Sequence, residues 1–185
     1  MNEAGTVLII TGWRGAGKTS LCQMVVEQAR QRGWDVAGVI SLPVLEKSVK
    51  TGIEIIAIRS NERRLLARST ALANTTLQTH AWAFDPVNMQ WGNEILKSAV
   101  PCDLLMVDEL GPLEFERQQG WLEGLRALDS GQFKLALVVI RPELVAQARS
   151  RWPQAVELQI NTVTEAPALA QQIIDQWLRS PANRS

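Results

Sequence analysis

The sequence predicts an α/β fold of three layers, a mainly parallel central sheet with helices on both faces. Three observations carry that prediction. A glycine-rich loop, Gly12-Trp13-Arg14-Gly15-Ala16-Gly17-Lys18-Thr19, stands between an apolar, strand-like run and an amphipathic, helix-like one. Apolar runs and helix-period runs then alternate along most of the chain, the pattern of a parallel sheet with right-handed crossovers. One apolar run, Leu104-Leu105-Met106-Val107, ends on the acids Asp108-Glu109. That places carboxylates at the C-terminal edge of a buried strand, where open α/β sheets bind ligands.

The elements follow in order. Thr6-Val7-Leu8-Ile9-Ile10 is apolar and β-branched, so it reads as a buried strand. The loop after it fits G-x-x-x-x-G-K-[ST], so the fold is that of the phosphate-loop (P-loop, Walker A) NTPases. Ser20 to Gln31 has Leu21, Met24, Val25 and Ala29 near helical spacing, and Gly33 is a C-terminal stop. Val36–Ser41 reads as a second strand. A β-hairpin inserted at about 50–70 follows: a turn at Thr51-Gly52, a strand Ile53–Ile58, a turn at Ser60-Asn61-Glu62 and a return strand Arg64–Ala67. It carries Arg59, Arg63, Arg64 and Arg68, which fit either a solvated face or a lid over the nucleotide.

Residues 71–79 are polar and read as loop, and Trp82–Phe84 as a short strand. Asp85-Pro86 opens a helix with an N-cap acid and proline at the first position, running to about Ala99 before Pro101. After the acidic strand, Gly111-Pro112 turns the chain into a helix over Gln118–Leu128. Lys134–Ile140 is a further buried strand, Glu143–Arg151 a helix broken by Pro153, Val156–Ile160 a strand, and Ala166–Leu178 the last helix. The central strands are expected to be the one before the loop, the Asp108 strand and Lys134–Ile140. Residues 1–180 read as one domain and 181–185 as a frayed tail.

The chemistry follows from these positions. Gly12, Gly15 and Gly17 remove Cβ atoms where backbone must turn and approach phosphate oxygens, and the helix N-terminus adds positive potential. Gly12, Trp13, Arg14, Gly15, Ala16, Gly17, Lys18, Thr19 and Ser20 form the expected nucleotide bed. Asn161, at a strand end where such folds touch the base, is either a further contact or a turn residue. Thr19 and Asp108 are the expected Mg²⁺ ligands. Lys18, Glu109 and Arg141 form the expected catalytic set. Lys18 reaches the β- and γ-phosphates. Glu109, on the opposite side of the pleat from Asp108, orients or deprotonates a water, or else caps the sheet edge. Arg141 stabilises charge on the transferring group, or pairs with an acid such as Glu143. Asp108-Glu109-Leu110-Gly111 also fits D-x-x-G, but no N-K-x-D guanine reader stands near Asn161, which argues against strict guanine specificity.

Composition narrows the classes. Lys plus Arg is 19 and Asp plus Glu is 19, so no net charge favours nucleic acid or an anionic membrane. Two cysteines, Cys22 and Cys102, are too few for a disulfide framework and point to a reducing cytoplasm. A single histidine argues against a zinc site. No secretory signal and no apolar run of membrane-spanning length is visible.

The pair TGWRGAGKTSL and VDELGPLE resembles the nucleoside-triphosphatase family that includes the human cancer-related nucleoside-triphosphatase. In that family the acidic strand reads D-E-[IL]-G-P-[ML]-E, matched here by Asp108, Glu109, Leu110, Gly111, Pro112, Leu113 and Glu114. The resemblance implies a Mg²⁺-dependent hydrolase that cleaves the β–γ bond of ATP, GTP and other nucleotides with little base preference. It implies Gly12–Thr19 as phosphate site, Asp108 as metal support and Glu109 as catalytic candidate, with Glu114 carried over as a motif member alone. Ser41–Lys47 departs from the family's glutamate-valine-arginine run. Two further readings stay open: a nucleotide or small-molecule kinase whose lid is the arginine-bearing hairpin, and a slow nucleotide switch that docks on a protein partner or a second copy through residues such as Trp82 and Trp91.

Overall fold

In the computed structural model, residues 5–71 and 81–178 are described. The loop expected over 71–79, apart from Ala71, the only histidine, His80, and the tail lie outside them. The elements are β1 (Thr6–Thr11), α1 (Lys18–Gln31), β2 (Val36–Glu46), β3 (Val49–Ala57), β4 (Arg63–Ser69), β5 (Trp82–Phe84), α2 (Pro86–Lys97), β6 (Leu104–Leu110), α3 (Pro112–Phe115), α4 (Leu122–Ser130), β7 (Leu135–Ile140), α5 (Val145–Arg151), β8 (Val156–Gln159) and α6 (Ala166–Trp177). The strands form one sheet in the order β5-β4-β3-β2-β6-β7-β1-β8. From β2 to β8 neighbouring strands are parallel, while β3, β4 and β5 extend the sheet antiparallel. β1, β6 and β7 are central, as their unbroken apolar character requires.

Pleat alternation divides the core in two. Val7, Ile9, Leu105, Val107, Ala136 and Val138 face one side, with Met89 and Leu96 of α2 and Leu125 and Leu128 of α4. Leu8, Ile10, Leu104, Met106, Leu137 and Val139 face the other, with Leu21 and Val25 of α1 and Ile173 and Ile174 of α6. Cys22 is buried in this second layer, and burial holds its thiol well above the ordinary range. Cys102 is likewise pushed up to about 12 by burial. Both thiols are packing groups.

Asp85 caps α2 as expected, accepting from the N–H groups of Val87 (2.8 Å) and Asn88 (3.0 Å). The region 36–69 differs from expectation. β2 continues past Ser41 to Glu46, Thr51 and Gly52 lie inside β3, and the turn is Lys47-Ser48, with φ of 48° and 67°. Two successive left-handed residues are what a tight hairpin turn needs; here they are supplied without glycine. The hairpin expected at 50–70 exists as β3 and β4, but it continues the main sheet. β2 pairs with β6 only over Val36–Val39. The rest of the β2–β3 ribbon therefore overhangs the edge of the sheet at which the glycine-rich loop lies. The helix expected over Gln118–Leu128 is α4, beginning later, at Leu122, and ending at Ser130; the one-turn α3 precedes it, and a 3₁₀ turn over Pro142–Leu144 precedes α5.

Gly38 shows how tightly β2 is fitted against β6. Its φ is +105°, and a Cβ there would lie 1.9 Å from the Met106 carbonyl oxygen. Gly38→Ala is expected to lower unfolding stability by roughly 1–3 kcal/mol from the backbone conformation alone, with the clash added. A urea denaturation midpoint unchanged from the parent would contradict this fit.

Candidate active site

The phosphate loop lies between β1 and α1, with φ of 152° at Gly12, 82° at Gly15 and 101° at Gly17. These are conformations that glycine adopts without a Cβ penalty. A Cβ on Gly12 would also meet the Ile160 carbonyl oxygen at 2.1 Å, and one on Gly17 the Cα of Val163 at 2.9 Å. The segment after β8, including Asn161, is therefore packed against the loop. Asn161 itself is engaged locally: its N–H donates to Glu165 (3.0 Å) and its Oδ1 accepts from Gln159 (2.9 Å). Within the loop, Ala16 is buried while Trp13 is 70% exposed.

Lys18 folds back on its own loop, donating to the carbonyl oxygens of Gly12 (2.5 Å) and Trp13 (2.9 Å). Burial lowers its pKa, against the opposing charges of Glu109 and Asp108. The ammonium thus lies within the electrostatic field of both expected carboxylates and of Arg141. Lys18, Asp108, Glu109 and Arg141 are brought together, as the motifs predict.

Asp108 is 2% exposed at the end of an apolar strand. Its Oδ2 accepts the Ser41 N–H at 2.8 Å. Desolvation, followed by the nearby Glu109 charge, raises its pKa to about 7, and the Ser41 N–H, Lys18 and Lys50 only partly oppose this. A buried carboxylate short of positive charge, with the Thr19 hydroxyl at the head of α1, is a hard-oxygen donor set. It suits a Mg²⁺ ion that takes few protein ligands and completes its shell with phosphate and water. These residues fit the ion.

Glu109 departs from the expected geometry. Its φ is 62°, and the β6–β7 register slips between Val107 and Leu110. The two acids still diverge, but through a left-handed bulge rather than simple pleat alternation. Glu109 is half-exposed and pairs with Arg141 at 3.6 Å. The arginine's carboxylate is thus Glu109, not Glu143.

Other expectations are corrected. Arg59 binds Asp35 (2.6 Å) and the carbonyls of Ser98 and Pro101, at the edge where β2 and β6 begin, opposite the phosphate loop. Arg63 pairs with Glu54, and Arg64 pairs with Glu62 and stacks 4.4 Å over Trp91. The cation that the overhanging ribbon brings into the field of Glu109 and Asp108 is Lys50, which the sequence reading missed. It stands 4.8 Å over the Trp82 ring, and its pKa is lowered by burial while Glu109, Arg14, Asp108 and Arg141 act on it. Position gives its role and no motif marks it; alternation from the Lys47-Ser48 turn was the available signal. Trp82 and Trp91 are buried, which removes them as a docking patch.

Glu114 acquires a role. Nearly buried, it accepts the Gly111 N–H through Oε2 (2.7 Å) and the Trp121 N–H through Oε1 (2.7 Å). It closes the D-E-L-G-P-L-E segment on itself and ties it to α4.

A family described as NTPase matches residues 7–169. The chain belongs to that family. Nucleoside-triphosphatase THEP1 of Methanopyrus kandleri is 26% identical over 92% of this chain and 96% of its own length. The corresponding protein of Methanocaldococcus jannaschii is 29% identical over 60% of this chain and 65% of its own length, just under two thirds. Among solved structures, THEP1 from Aquifex aeolicus superposes with a TM-score of 0.67 at 21% identity, covering 94% of this chain and 100% of that one. The human cancer-related nucleoside triphosphatase superposes at 0.63 and 18% identity, covering 93% and 99%. These likenesses confirm the P-loop α/β fold.

Two outcomes follow from the buried acids. Glu114→Ala strands two buried N–H groups and is expected to cost roughly 2–5 kcal/mol of unfolding stability; Glu114→Gln, keeping one acceptor, costs less. Urea titration measures both, and a neutral Ala variant would refute the stapling role. The Asp108 pKa is raised on folding from 3.8 to about 7. Its contribution to stability is therefore full below the unfolded value and lost as pH rises through about 7. The nucleotide-free protein is expected to lose stability between about pH 4 and pH 7 more steeply than Asp108→Asn; parallel pH profiles would contradict the assignment.

Proposed function

We propose that this chain is a Mg²⁺-dependent nucleoside-triphosphate phosphohydrolase that cleaves the β–γ bond of ATP, GTP and other nucleotides with little base preference. The observation that carries the reading is Glu109, a carboxylate held on a strained bulge within the field of the loop lysine. Family membership and the THEP1 relatives support the same activity.

The backbone of Gly12–Ser20 cradles the α- and β-phosphates. Lys18 exchanges the carbonyls of Gly12 and Trp13 for β- and γ-phosphate oxygens. Thr19 and Asp108 hold Mg²⁺, which when bound neutralises charge on the β–γ oxygens. Arg141 turns from Glu109 to the γ-phosphate, and that frees the carboxylate. Glu109 accepts a proton from water as the water oxygen attacks the γ-phosphorus and the bond to the β-phosphate oxygen breaks. The products are a nucleoside diphosphate and phosphate. Arg14 and Lys50 add positive charge at the open side of the site. Trp13 and Asn161 flank the place of the base, and the local engagement of the Asn161 carbonyl favours broad base tolerance. We place the enzyme in the cytoplasm, a reading supported by two unbridged, protonated thiols, and read residues 1–180 as one domain.

Glu109→Gln keeps the size of the side chain and removes its basicity. It is expected to retain Mg²⁺–nucleotide affinity while losing at least about 100-fold in phosphate release, measured with ATP and GTP side by side. A variant that hydrolyses at the parent rate would exclude Glu109 as the base. A parent protein that releases phosphate from no nucleotide would overturn the hydrolase reading itself.

A further inference from the structure

The overhanging ribbon ends in a stretch with few strand partners. β2 pairs with β6 no further than Val39, and β3 pairs with β4 only over Gly52–Ile56. Lys50 lies beyond both. Among the described residues its strand partner is Leu45 of β2, next to a register shift between Val44 and Leu45. A two-stranded ribbon with such an irregularity is lightly restrained. From Leu45 to Val49 every residue is exposed, whereas Lys50 is half-buried.

The Lys50 ammonium rests 4.8 Å over the Trp82 ring. The arginines nearby are paired otherwise: Arg59, Arg63 and Arg64 each hold a carboxylate. Among the described residues Lys50 holds none. Its charged neighbours are those of the site, since Glu109, Arg14, Asp108 and Arg141 all act on it while burial lowers its pKa. Trp82 also borders the same recess as Glu109 and Arg141. Packing on the ring accounts for the apolar stem of the lysine but not for its charge. A π face is a weak partner for a partly desolvated ammonium, and a phosphate oxygen is a stronger one.

We propose that Lys50 is a further catalytic residue: with a triphosphate in the loop, the ribbon tip bends inward and the ammonium leaves the Trp82 ring for oxygens of the γ-phosphate. The inference rests on the hydrolase reading above. Lys50 keeps its proton throughout. Its charge meets the negative charge on the γ-phosphoryl oxygens while water attacks and the bond to the β-phosphate oxygen breaks, so it contributes most in the transition state. Lys18 stands at the head of α1 and Arg141 at the end of β7, both on central elements. Lys50 comes from the overhang, so its arrival depends on the ribbon. A diphosphate lacks the group that draws the ammonium from Trp82, and the ribbon opens again when phosphate leaves.

Full-length protein with Mg²⁺ and ATP or GTP is assayed for phosphate release over a range of nucleotide concentrations, so that kcat and KM are read apart. Lys50→Met keeps an apolar stem over Trp82 and removes the charge. It is expected to lower kcat at least about tenfold while changing diphosphate affinity, measured by calorimetry, less than about twofold. Lys50→Arg restores the charge and is expected to recover most of the loss. Lys50→Gln replaces the methionine variant should that one fail to fold. Amide hydrogen exchange over residues 44–50 is expected to be slower with a non-hydrolysable ATP analogue than with ADP in the parent, and the same with both in Lys50→Met. A kcat within about twofold of the parent, a loss that Lys50→Arg leaves untouched, an equal loss of diphosphate affinity, or ribbon exchange that does not distinguish triphosphate from diphosphate overturns the proposal. A parent that releases phosphate from no nucleotide overturns the hydrolase reading and this role with it. A hydrolysing parent matched by Lys50→Met overturns the role of Lys50 alone.

Discussion

The site depends on one unfavourable placement, a carboxylate buried at the end of a strand with no apolar alternative. Leu104 to Val107 are completely buried, so β6 cannot shift without exposing core, and Asp108 goes where they put it. One backbone N–H, from Ser41, is too little to keep a buried carboxylate ionised at its ordinary pKa, hence the rise to about 7. That single bond has a second consequence. It pins β2 to β6 just beyond their last paired residues, Val39 and Val107, and fixes where the overhanging ribbon leaves the sheet.

The charges around Asp108 form an incomplete set. Lys18 and Lys50 are both partly desolvated, and both have their pKa lowered by burial despite nearby acids. Lys18 rests on two carbonyls, and Glu109 holds Arg141 at a distance longer than a hydrogen bond. Each cation is paired with something weaker than a phosphate. On the reading proposed above, a bound triphosphate would replace these partners together and so stabilise this edge of the sheet.

Much of this was legible in the sequence. The loop, the acidic strand, the Asp85-Pro86 helix start and the central strands were all readable, because each is specified locally by spacing or by a cap. The β2–β3 turn was not, because Lys47 and Ser48 adopt left-handed conformations without the usual glycine or asparagine. Of the two readings open for the arginines of 59–68, the solvated face holds and the lid does not, for a related reason. Composition marks them as a basic cluster, while strand direction sends Arg59 to the opposite edge of the sheet and gives Arg63 and Arg64 neighbouring acids. Lys50 was hidden because its importance comes from an overhang that only the pairing register creates. Glu109 is set apart from Asp108 as expected, but by the bulge and not by the pleat.

The bulge also explains why the acidic motif extends as far as Glu114. A left-handed glutamate at the end of β6 needs its following chain held rigidly, or the strain at φ 62° would relax by moving the segment. Leu110 returns to pairing with Ile140, and Gly111 then gives its N–H to Glu114, whose other oxygen is fixed by Trp121. The close approach of Gly120 to that same carboxylate, 1.9 Å from a would-be Cβ, leaves the staple little room to shift. The last acid of the motif thus acts on the first two through geometry. It braces the chain that follows Glu109 and holds in place Leu113 and Trp121, which border the same recess as Glu109. The acids at one end of the motif and the packing of Leu113 and Trp121 at the other are thus tied by the same pair of hydrogen bonds.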